Sequence, residues 1–282
     1  MYQALPFGPV TLPTAPIFAM LAIFLGLETA GRFGRRLGLR TDDVWNTGLL
    51  ALLAGLVVAR LWNVVQFWYV YSAEPTLIVS LRPSGFSLWP GLVAAAIAAY
   101  AYMLRHALSP RKIAAAFAVG FLMSAGILAV SDYLTGAIQG LPSDLPWAVK
   151  FPQGLPPSTA ERMQSMFGIP VPPGTDPGTV LAVHPTQLYE VTIMLAAFLV
   201  LWRLRLQQRA TGWLFSVYLV WAGAERFIIE IFRAKDDRFF GPFTLAQVVS
   251  VILITIGVGL MARLAKGDEL APGPYLTKTA TA

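Results

Sequence analysis

Long apolar runs separated by short basic loops dominate the pattern of hydrophobic and polar positions along this chain. A helix needs about 20 mainly apolar residues to cross a bilayer, and about seven runs come close to that length. We therefore predict an all-α, polytopic membrane protein with about seven transmembrane helices. The predicted spans cover about residues 15–31, 44–68, 85–104, 113–134, 185–204, 212–233 and 243–264.

Composition agrees with this pattern and excludes several classes of function. Of the 282 residues, 56% are hydrophobic and 13% are charged, whereas a soluble domain has about 25% charged residues. The length fits a single transmembrane domain over residues 1–265, followed by a polar cytoplasmic tail at 266–282. With no Cys and only two His, the chain lacks the residues for disulfides, thiolate metal sites or a His-rich metal site, so we expect no metal and no cofactor.

The basic residues indicate the orientation in the membrane. Arg and Lys clusters follow predicted spans 1, 3, 5 and 7, all on one side, and this side is the cytoplasm by the positive-inside rule. We therefore predict an N-terminus outside and a C-terminus inside. Because the net charge of +6 comes largely from these short loops, it indicates topology and not nucleic-acid binding. No internal repeat is evident, which weakens a transporter interpretation.

Two loops carry further structural predictions. Thr41 is predicted to cap the second span, with Asp42 and Asp43 at the favourable N-terminal end of that helix. The segment between the fourth and fifth spans, about residues 135–183, is far longer than the roughly 15 residues of an ordinary loop. It is rich in aromatic and turn residues, and we expect it to fold over the mouth of the bundle on the outer side.

Ionisable side chains interrupt the outer half of the sixth span. This stretch carries Glu225, Arg226, Glu230 and Arg233, and a charge within a membrane costs roughly 3 kcal/mol unless it is paired or hydrated. Arg226 and Glu230 are four residues apart on one helix face, and Arg233 returns to that face. This Arg–Glu–Arg face is either an anion site with its own counter-ion or a structural ion pair between helices, and the additional Arg233 favours the anion site.

The start of the fifth span reads HPTQLYE at residues 184–190. Pro185 suits the first turn of a helix, and Thr186 or His184 is a possible cap. Gln187 and Tyr189 would then hydrogen-bond inward or to a ligand. Arg60, inside the second span on the outer side of the bilayer centre, also needs a partner, either Asp132 or a lipid phosphate.

Several motifs resemble those of the prolipoprotein diacylglyceryl transferases. HPTQLYE is similar to that family's HPxQLYE, and GAERFIIEIFR at 223–233 is similar to its G-x-x-R-x-x-x-E-x-x-R. TLAQVVS at 244–250 and LPSDLPWAVKFP at 141–152 resemble two further family motifs, S-M-G-Q-x-x-S and R-P-T-D-L-P-W-x-x-x-F-P. GPVTLP at 8–13 and ARLWNVVQFW at 59–68 are weaker matches, so the resemblance extends over nearly the whole chain.

The resemblance implies an enzyme of the bacterial inner membrane that acts in lipoprotein maturation. Such enzymes move diacylglyceryl from phosphatidylglycerol, an anionic lipid, to the lipobox Cys thiol of a preprolipoprotein, and glycerol phosphate leaves. Arg226 aligns with an arginine that the family treats as essential, and Glu230 and Arg233 align with its neighbours in the site. We expect catalysis from Arg226, Glu230 and His184, the last as the only His on the outward side. The residues expected to bind phosphate or substrate are Arg226, Arg233, Gln187, Tyr189 and Gly140, together with Arg60 and Asp132, which are suggested by their charge and position in this chain. Arginine suits a phosphate because its planar fork donates hydrogen bonds in pairs.

The chain departs from the family pattern in its first half. In alignment without gaps, Trp89 occupies the position of a functional His, and Ala129 that of an essential Arg. Asp132 stands at a family Asn and adds negative charge near the expected phosphate, and Ala137 stands at a family Glu. Ala15 replaces a Tyr of the first span. Loss of one phosphate-binding arginine removes a contact worth roughly 1.5–3 kcal/mol, and Arg60 is a possible substitute.

Three functions are therefore weighed. The first is a diverged transferase that still works, with His184, Glu230 or Asp132 as the base that accepts the thiol proton. The second is a catalytically silent relative that binds a lipid or a partner protein. The third is a small transporter or a structural subunit of a membrane complex. A shared fold does not guarantee shared chemistry, so the site itself must decide between them.

Overall fold

The computed structural model describes residues 1–7, 10–80, 85–154, 156–204, 210–234 and 238–264. The predicted tail at 266–282 and the basic residues Arg205 and Arg209 lie outside these ranges. Contacts between backbone positions divide the chain into two compact units, Gly31–Ala116 and a larger one formed by Met1–Ala30 with Phe117–Ala282.

Helices account for most of the described residues. They are α1 (Thr14–Arg36), α2 (Thr41–Gln66), α3 (Trp68–Ala73), α4 (Leu88–Arg105), α5 (Pro110–Thr135), α6 (Ala160–Phe167), α7 (Thr186–Leu204), α8 (Trp213–Phe232) and α9 (Leu245–Leu264), with a 3-10 helix at Pro75–Val79. The strands form three antiparallel pairs: β1 (Ala4–Phe7) with β2 (Val10–Pro13), β3 (Val149–Lys150) with β4 (Ala182–Val183), and β5 (Arg238–Phe240) with β6 (Phe243–Thr244).

The prediction of an all-α, polytopic membrane protein is confirmed. Six described helices, α1, α2, α4, α5, α7 and α9, are long and apolar enough to cross a membrane. The 20-residue helix α8 corresponds to the predicted sixth span, and it is the one that contains Glu225, Arg226 and Glu230. Each long helix lies within a few residues of a predicted span, because a sustained apolar run fixes helix position well even where its ends fray.

In the unit Gly31–Ala116, the start of α2 differs from the prediction. Helix α2 begins at Thr41, its N-cap is Arg40, and the Arg40 side chain makes no capping hydrogen bond, so the predicted cap at Thr41 is wrong. The Thr41 hydroxyl instead accepts a hydrogen bond from Arg35 at 3.5 Å. Asp42 and Asp43 do lie in the first turn of α2, where the helix dipole favours carboxylates.

In the larger unit, α8 packs against both α7 and α9. Glycines permit the close approach of α8 and α9: a Cβ on Gly223 would lie 2.7 Å from the Ser250 carbonyl oxygen, and one on Gly257 would lie 2.9 Å from that of Ser216. The indole of Trp221 donates a hydrogen bond to the Ile193 carbonyl on α7, at 3.2 Å. Small residues at helix contacts are typical of membrane bundles, and here they hold α8 between its neighbours.

The residues between α5 and α7, 136–185, fold as a connecting segment with a small hydrophobic core. Phe151, Met163 and Val183 are completely buried and pack with Ala234, which follows α8. The N-terminus binds the edge of this segment, because the Gln3 side chain donates to the carbonyls of Thr135 at 2.6 Å and Gln153 at 2.7 Å. The aromatic and aliphatic residues of the segment thus supply its core, and they attach it to the end of α8.

Candidate functional site

Two arginines bind one carboxylate oxygen at the end of α8. Glu230 Oε2 lies 3.1 Å from an Arg226 nitrogen and 3.3 Å from an Arg233 nitrogen. The Glu230 side chain is fully buried, whereas those of Arg226 and Arg233 are 36% and 14% exposed. The predicted pairing of Arg226 with Glu230 is present. The carboxylate holds both guanidinium groups, and Arg226 is the one that solvent or a ligand can reach most easily.

Arg226 and Arg233 both contact Glu230, but the backbone of Arg233 is not helical. Helix α8 ends at Phe232, and the backbone of Arg233 is extended, with φ −80° and ψ 139°. Arg233 forms an antiparallel bridge with Gly140, and the Ala234 N–H donates to the Gln139 carbonyl at 3.1 Å. Pairing with the connecting segment therefore fixes the Arg233 backbone, which the helical spacing alone does not.

Residues 139–143 form the centre of a small three-stranded arrangement. The Leu141 N–H donates to the Phe232 carbonyl at 2.8 Å, and the Leu141 carbonyl accepts from the His184 N–H at 2.9 Å. Gly140 lies where the three segments are closest, because a Cβ there would be 2.5 Å from the His184 oxygen and 2.9 Å from the Phe232 oxygen. This arrangement brings the start of α7 beside the end of α8. The predicted role of Gly140 in substrate binding stays a prediction.

Three further carboxylates interact electrostatically with the arginine pair. Asp132, near the end of α5, interacts with Arg233. Glu190 on α7 and Glu225 on α8 each interact with both arginines and with one another. Glu225 is 5% exposed, and its Oε1 has no hydrogen-bond partner among the described residues. With Glu230, four carboxyl groups therefore surround two guanidinium groups.

The first residues of α7 bind the connecting segment. The Thr186 hydroxyl donates to the Ile138 carbonyl at 2.9 Å, and the Gln187 amide donates to the Ala137 carbonyl at 2.5 Å. The Thr186 hydroxyl donates its proton to Ile138 and keeps its lone pairs, so the prediction that Thr186 or His184 caps α7 stays a prediction. Of the two alternatives for Gln187, the inward hydrogen bond is the one present, although its buried Oε1 has no partner in the described part of the chain.

His184 belongs to an aromatic group with Trp147, Tyr189 and Phe232. The Trp147 indole N–H donates to the Tyr189 hydroxyl at 2.7 Å, and this hydroxyl lies 3.2 Å from His184 Nδ1. The Phe232 ring packs on both neighbours, with centroids 5.2 Å from His184 and 5.9 Å from Tyr189. His184 and Tyr189 are thus held together against Phe232, the last residue of α8.

A mostly apolar cavity of about 380 Å³ adjoins this aromatic group. His184, Tyr189 and Trp147 line it on one side, and α8 contributes Ile228, Ile229 and Phe232. The remaining lining residues are Leu145 and Ile193. The cavity has the volume and lining to hold an apolar group beside an imidazole.

Arg60, in the unit Gly31–Ala116, has protein acceptors for its guanidinium. It donates to the carbonyls of Leu77, Ile78 and Gly85, the last at 2.6 Å, and to the Tyr71 hydroxyl at 3.3 Å. It also lies 5.3 Å from the centre of the Phe86 ring. Backbone carbonyls therefore satisfy a charge for which the sequence suggested Asp132 or a lipid phosphate. Its role as a phosphate ligand stays a prediction.

The two replaced family positions lie in different surroundings. Trp89 is in the first turn of α4 and is 50% exposed. Ala129 is on α5 and is 1% exposed, so no charged side chain is present at this buried position.

Two residues not selected from the sequence, Glu225 and Trp147, belong to the site. Glu225 was detectable as a charge within an apolar run, but nothing local indicates that Trp147 contacts Tyr189, 42 residues away.

Comparisons with known proteins agree with the motifs. Residues 3–263 match the family described as prolipoprotein diacylglyceryl transferase. A phosphatidylglycerol–prolipoprotein diacylglyceryl transferase from Corynebacterium diphtheriae is 26% identical, over 93% of this chain and 92% of its own length. Proteins of the same name from Clostridioides difficile and Bacillus mycoides are 27% and 28% identical, each over 90% of this chain and over 91% and 88% of their own lengths.

Proposed function

The chain belongs to the prolipoprotein diacylglyceryl transferase family, and we propose that it transfers diacylglyceryl from phosphatidylglycerol to the lipobox Cys thiol of a preprolipoprotein. In this reaction the sulfur attacks a glycerol carbon as its proton passes to a base. The bond between that carbon and the phosphate oxygen breaks, and glycerol phosphate leaves with the electron pair. The products are a thioether and a phosphate monoester.

The observation that carries the proposal is the pair of arginines on Glu230. A phosphate that becomes a leaving group gains negative charge, and preorganised donors facing that charge lower the barrier. Arg226 is suited to this task because it is partly exposed, and Glu230 holds its guanidinium at 3.1 Å before any ligand arrives. Arg233 adds a second positive charge beside it, with the same carboxylate as anchor.

Glu230 orients the arginines and is a poor candidate for the base. Its Oε2 already contacts the guanidinium groups of Arg226 and Arg233, so this oxygen is occupied. Of the carboxylates selected from the sequence, Asp132 is the remaining candidate, because the described ion pairs of this cluster involve Glu230 and not Asp132. We propose Asp132 as the acceptor of the thiol proton, and Asp132→Asn is then expected to lower kcat more than it raises KM.

The apolar cavity supports a lipid or lipobox substrate. Its walls are largely aliphatic and aromatic, and it opens beside α8 within two turns of Arg226 and Arg233. A substrate with an anionic group and an adjoining apolar portion matches this combination of an arginine pair and an apolar wall. Many basic proteins bind nucleic acids, but nucleic acids have no such apolar portion next to their phosphates.

The deciding experiment compares Arg226→Lys and Arg226→Met in a transfer assay. Purified protein in phosphatidylglycerol micelles acts on a lipobox peptide, and the mass gain on Cys is measured. We expect both variants to lose most activity, because a lysine ammonium cannot make the paired hydrogen bonds of a guanidinium. The loss of a charge-assisted contact of about 3 kcal/mol corresponds to roughly a hundredfold lower rate.

Arg263→Met is the matched control, because Arg263 is an exposed arginine in the last turn of α9. It is expected to retain full activity. If Arg226→Lys had wild-type activity, a positive charge alone would account for the role of Arg226. If the wild-type protein itself fails to convert the peptide, the proposal gives way to the catalytically silent, lipid- or partner-binding alternative.

We further propose that the chain lies in the bacterial inner membrane with its N-terminus outside and its C-terminus in the cytoplasm. The asymmetry of Arg and Lys between its loops supports this orientation. In this orientation the connecting segment and the Arg226–Arg233 end of α8 face outward. A secreted preprolipoprotein would then meet the site from the side on which its Cys emerges.

A further inference from the structure

Trp147, Tyr189 and His184 form a chain of two hydrogen-bond contacts, and the donor of the first contact is fixed by chemistry. An indole nitrogen only donates, so the contact of 2.7 Å from Trp147 to the Tyr189 hydroxyl occupies a lone pair of that oxygen. Tyr189 has a single hydroxyl proton to donate in turn. His184 Nδ1, at 3.2 Å, is the acceptor that the structure describes for it.

We propose that Trp147 and Tyr189 are positioning residues that hold His184 as the tautomer protonated on Nε2, so that the imidazole offers a hydrogen-bond donor to a ligand in the apolar cavity. In the opposite tautomer, Nδ1–H would donate to the Tyr189 oxygen, which already accepts from Trp147. The tyrosine proton would then need another acceptor, and none is found for it among the described residues. The tautomer protonated on Nε2 satisfies all three groups.

Packing keeps this chain in place. The Phe232 ring lies against both His184 and Tyr189 and limits the rotation of either ring. The His184 backbone is also fixed, because its N–H donates to the Leu141 carbonyl at 2.9 Å. His184 lines the cavity together with Trp147 and Tyr189, so a ligand in the cavity lies beside the imidazole.

The consequence for chemistry rests on the proposed function. With Nδ1 occupied by Tyr189 and Nε2 carrying hydrogen, neutral His184 has no lone pair with which to accept the thiol proton. A neutral imidazole N–H can instead stabilise a developing negative charge by donating a hydrogen bond without giving up its proton. His184 is then an electrophilic group for a phosphate or ester oxygen of the lipid, and the base is elsewhere.

The tautomer can be measured directly by ¹⁵N NMR of the histidine ring. The chain has only two His, so ¹⁵N-His labelling of the His106→Asn variant leaves a single labelled ring. The full-length protein in phosphatidylglycerol nanodiscs is measured at about pH 8, where an ordinary imidazole is neutral. We expect a protonated Nε2 and an unprotonated Nδ1. A protonated Nδ1 would overturn the proposal.

Trp147→Phe tests the positioning role without touching His184. Without the indole donor, the Tyr189 O–H can turn away from His184 towards the exposed side that the indole occupied. The Tyr189 oxygen can then accept from Nδ1–H, so both tautomers fit. We expect the two ring-nitrogen shifts to move towards each other as the tautomers exchange. Trp62→Phe is the matched control, because Trp62 is as exposed as Trp147, at 56% and 55%, and it should leave the shifts unchanged. Unchanged shifts in Trp147→Phe would contradict the role of Trp147.

Activity provides an independent arm. A glutamine amide can donate a hydrogen bond but cannot act as a base, so His184→Gln should retain transfer within about tenfold, while His184→Ala falls by roughly a hundredfold. An equal loss in the two variants would reject the donor role. If the wild-type protein shows no transfer, the NMR result still decides the tautomer, so failure of the proposed function and failure of this inference are distinguishable.

Discussion

At the scale of single residues, the cluster at the end of α8 consists of one carboxylate in contact with two arginines. Glu230 is fully buried and its Oε2 lies within 3.3 Å of both guanidinium groups. Such a buried charge requires partners, and removal of one partner of a buried pair costs about 3–5 kcal/mol. The arginines thus compensate the buried charge of Glu230 as well as presenting positive charge to a ligand.

Glu225 allows a prediction about the lipid headgroup. In its ionised form, Glu225 competes with a phosphate for the charge of Arg226 and Arg233. Glu225→Gln keeps the shape and removes this charge, so the comparison is made at about pH 9, where the ionised form of a buried carboxyl group is favoured. We expect the KM for phosphatidylglycerol to fall about fivefold, which corresponds to roughly 1 kcal/mol. The measurement is initial rate against lipid mole fraction in mixed micelles.

Glu74→Gln serves as the control for this prediction, because Glu74 is an exposed residue of the other unit. It is expected to leave KM unchanged. A higher KM in Glu225→Gln would mean that this carboxylate helps to bind the headgroup, and the proposed electrostatic competition would be rejected.

At the scale of elements, the pairing of residues 139–143 with the start of α7 and the end of α8 assembles the site. Gly140 is the closest contact in this arrangement, since a Cβ would lie 2.5 Å from the His184 oxygen. Gly140→Ala is expected to destabilise the protein by about 1–3 kcal/mol, the usual cost of overpacking, and to lower activity. Thermal unfolding in detergent, followed by light scattering, measures the change.

The control for Gly140→Ala is Gly259→Ala on α9. A Cβ at Gly259 would have no atom within 4 Å, and Ala favours a helix over Gly by about 1 kcal/mol. This variant should unfold at the same temperature as the wild type or higher. Equal unfolding temperatures for Gly140→Ala and the wild type would show that the strand pairing tolerates a side chain there.

Arg60 presents a second prediction at this scale. Its guanidinium donates to three backbone carbonyls of the segment between α3 and α4, so Arg60→Met should free that segment. We expect faster hydrogen exchange at residues 74–80, because local opening then costs less free energy. Arg32→Met is a control of equal charge change. A loss of transfer with unchanged exchange would instead favour the phosphate-binding role of Arg60.

At the scale of the whole molecule, orientation in the membrane is the feature that sets where substrates arrive. The chain has no Cys, so single cysteines can be introduced into an unreactive background. We expect Asp176→Cys, in the connecting segment, to react with an impermeant thiol reagent from outside intact cells, and Arg35→Cys, at the end of α1, to stay unlabelled. The reverse pattern would invert the proposed topology.

The sequence by itself determined the class of fold and the position of the long helices. An apolar run of about 20 residues must satisfy its backbone hydrogen bonds internally within a bilayer, which leaves a helix as the available form. The contact between Arg226 and Glu230 could be predicted from the sequence for a similar reason, since residues four apart on a helix are neighbours regardless of the tertiary structure. These are local consequences of composition and spacing.

The tertiary structure decided what joins residues that are distant in the chain. Arg233 lies beyond the end of α8, and its backbone is placed by Gly140, 93 positions earlier. Tyr189 connects to Trp147 across 42 residues. The acceptors of Arg60 are backbone carbonyls, which every residue has and no sequence pattern distinguishes. Helix spacing is read from neighbouring residues, whereas these contacts depend on how the connecting segments fold back, and only the packed structure fixes that.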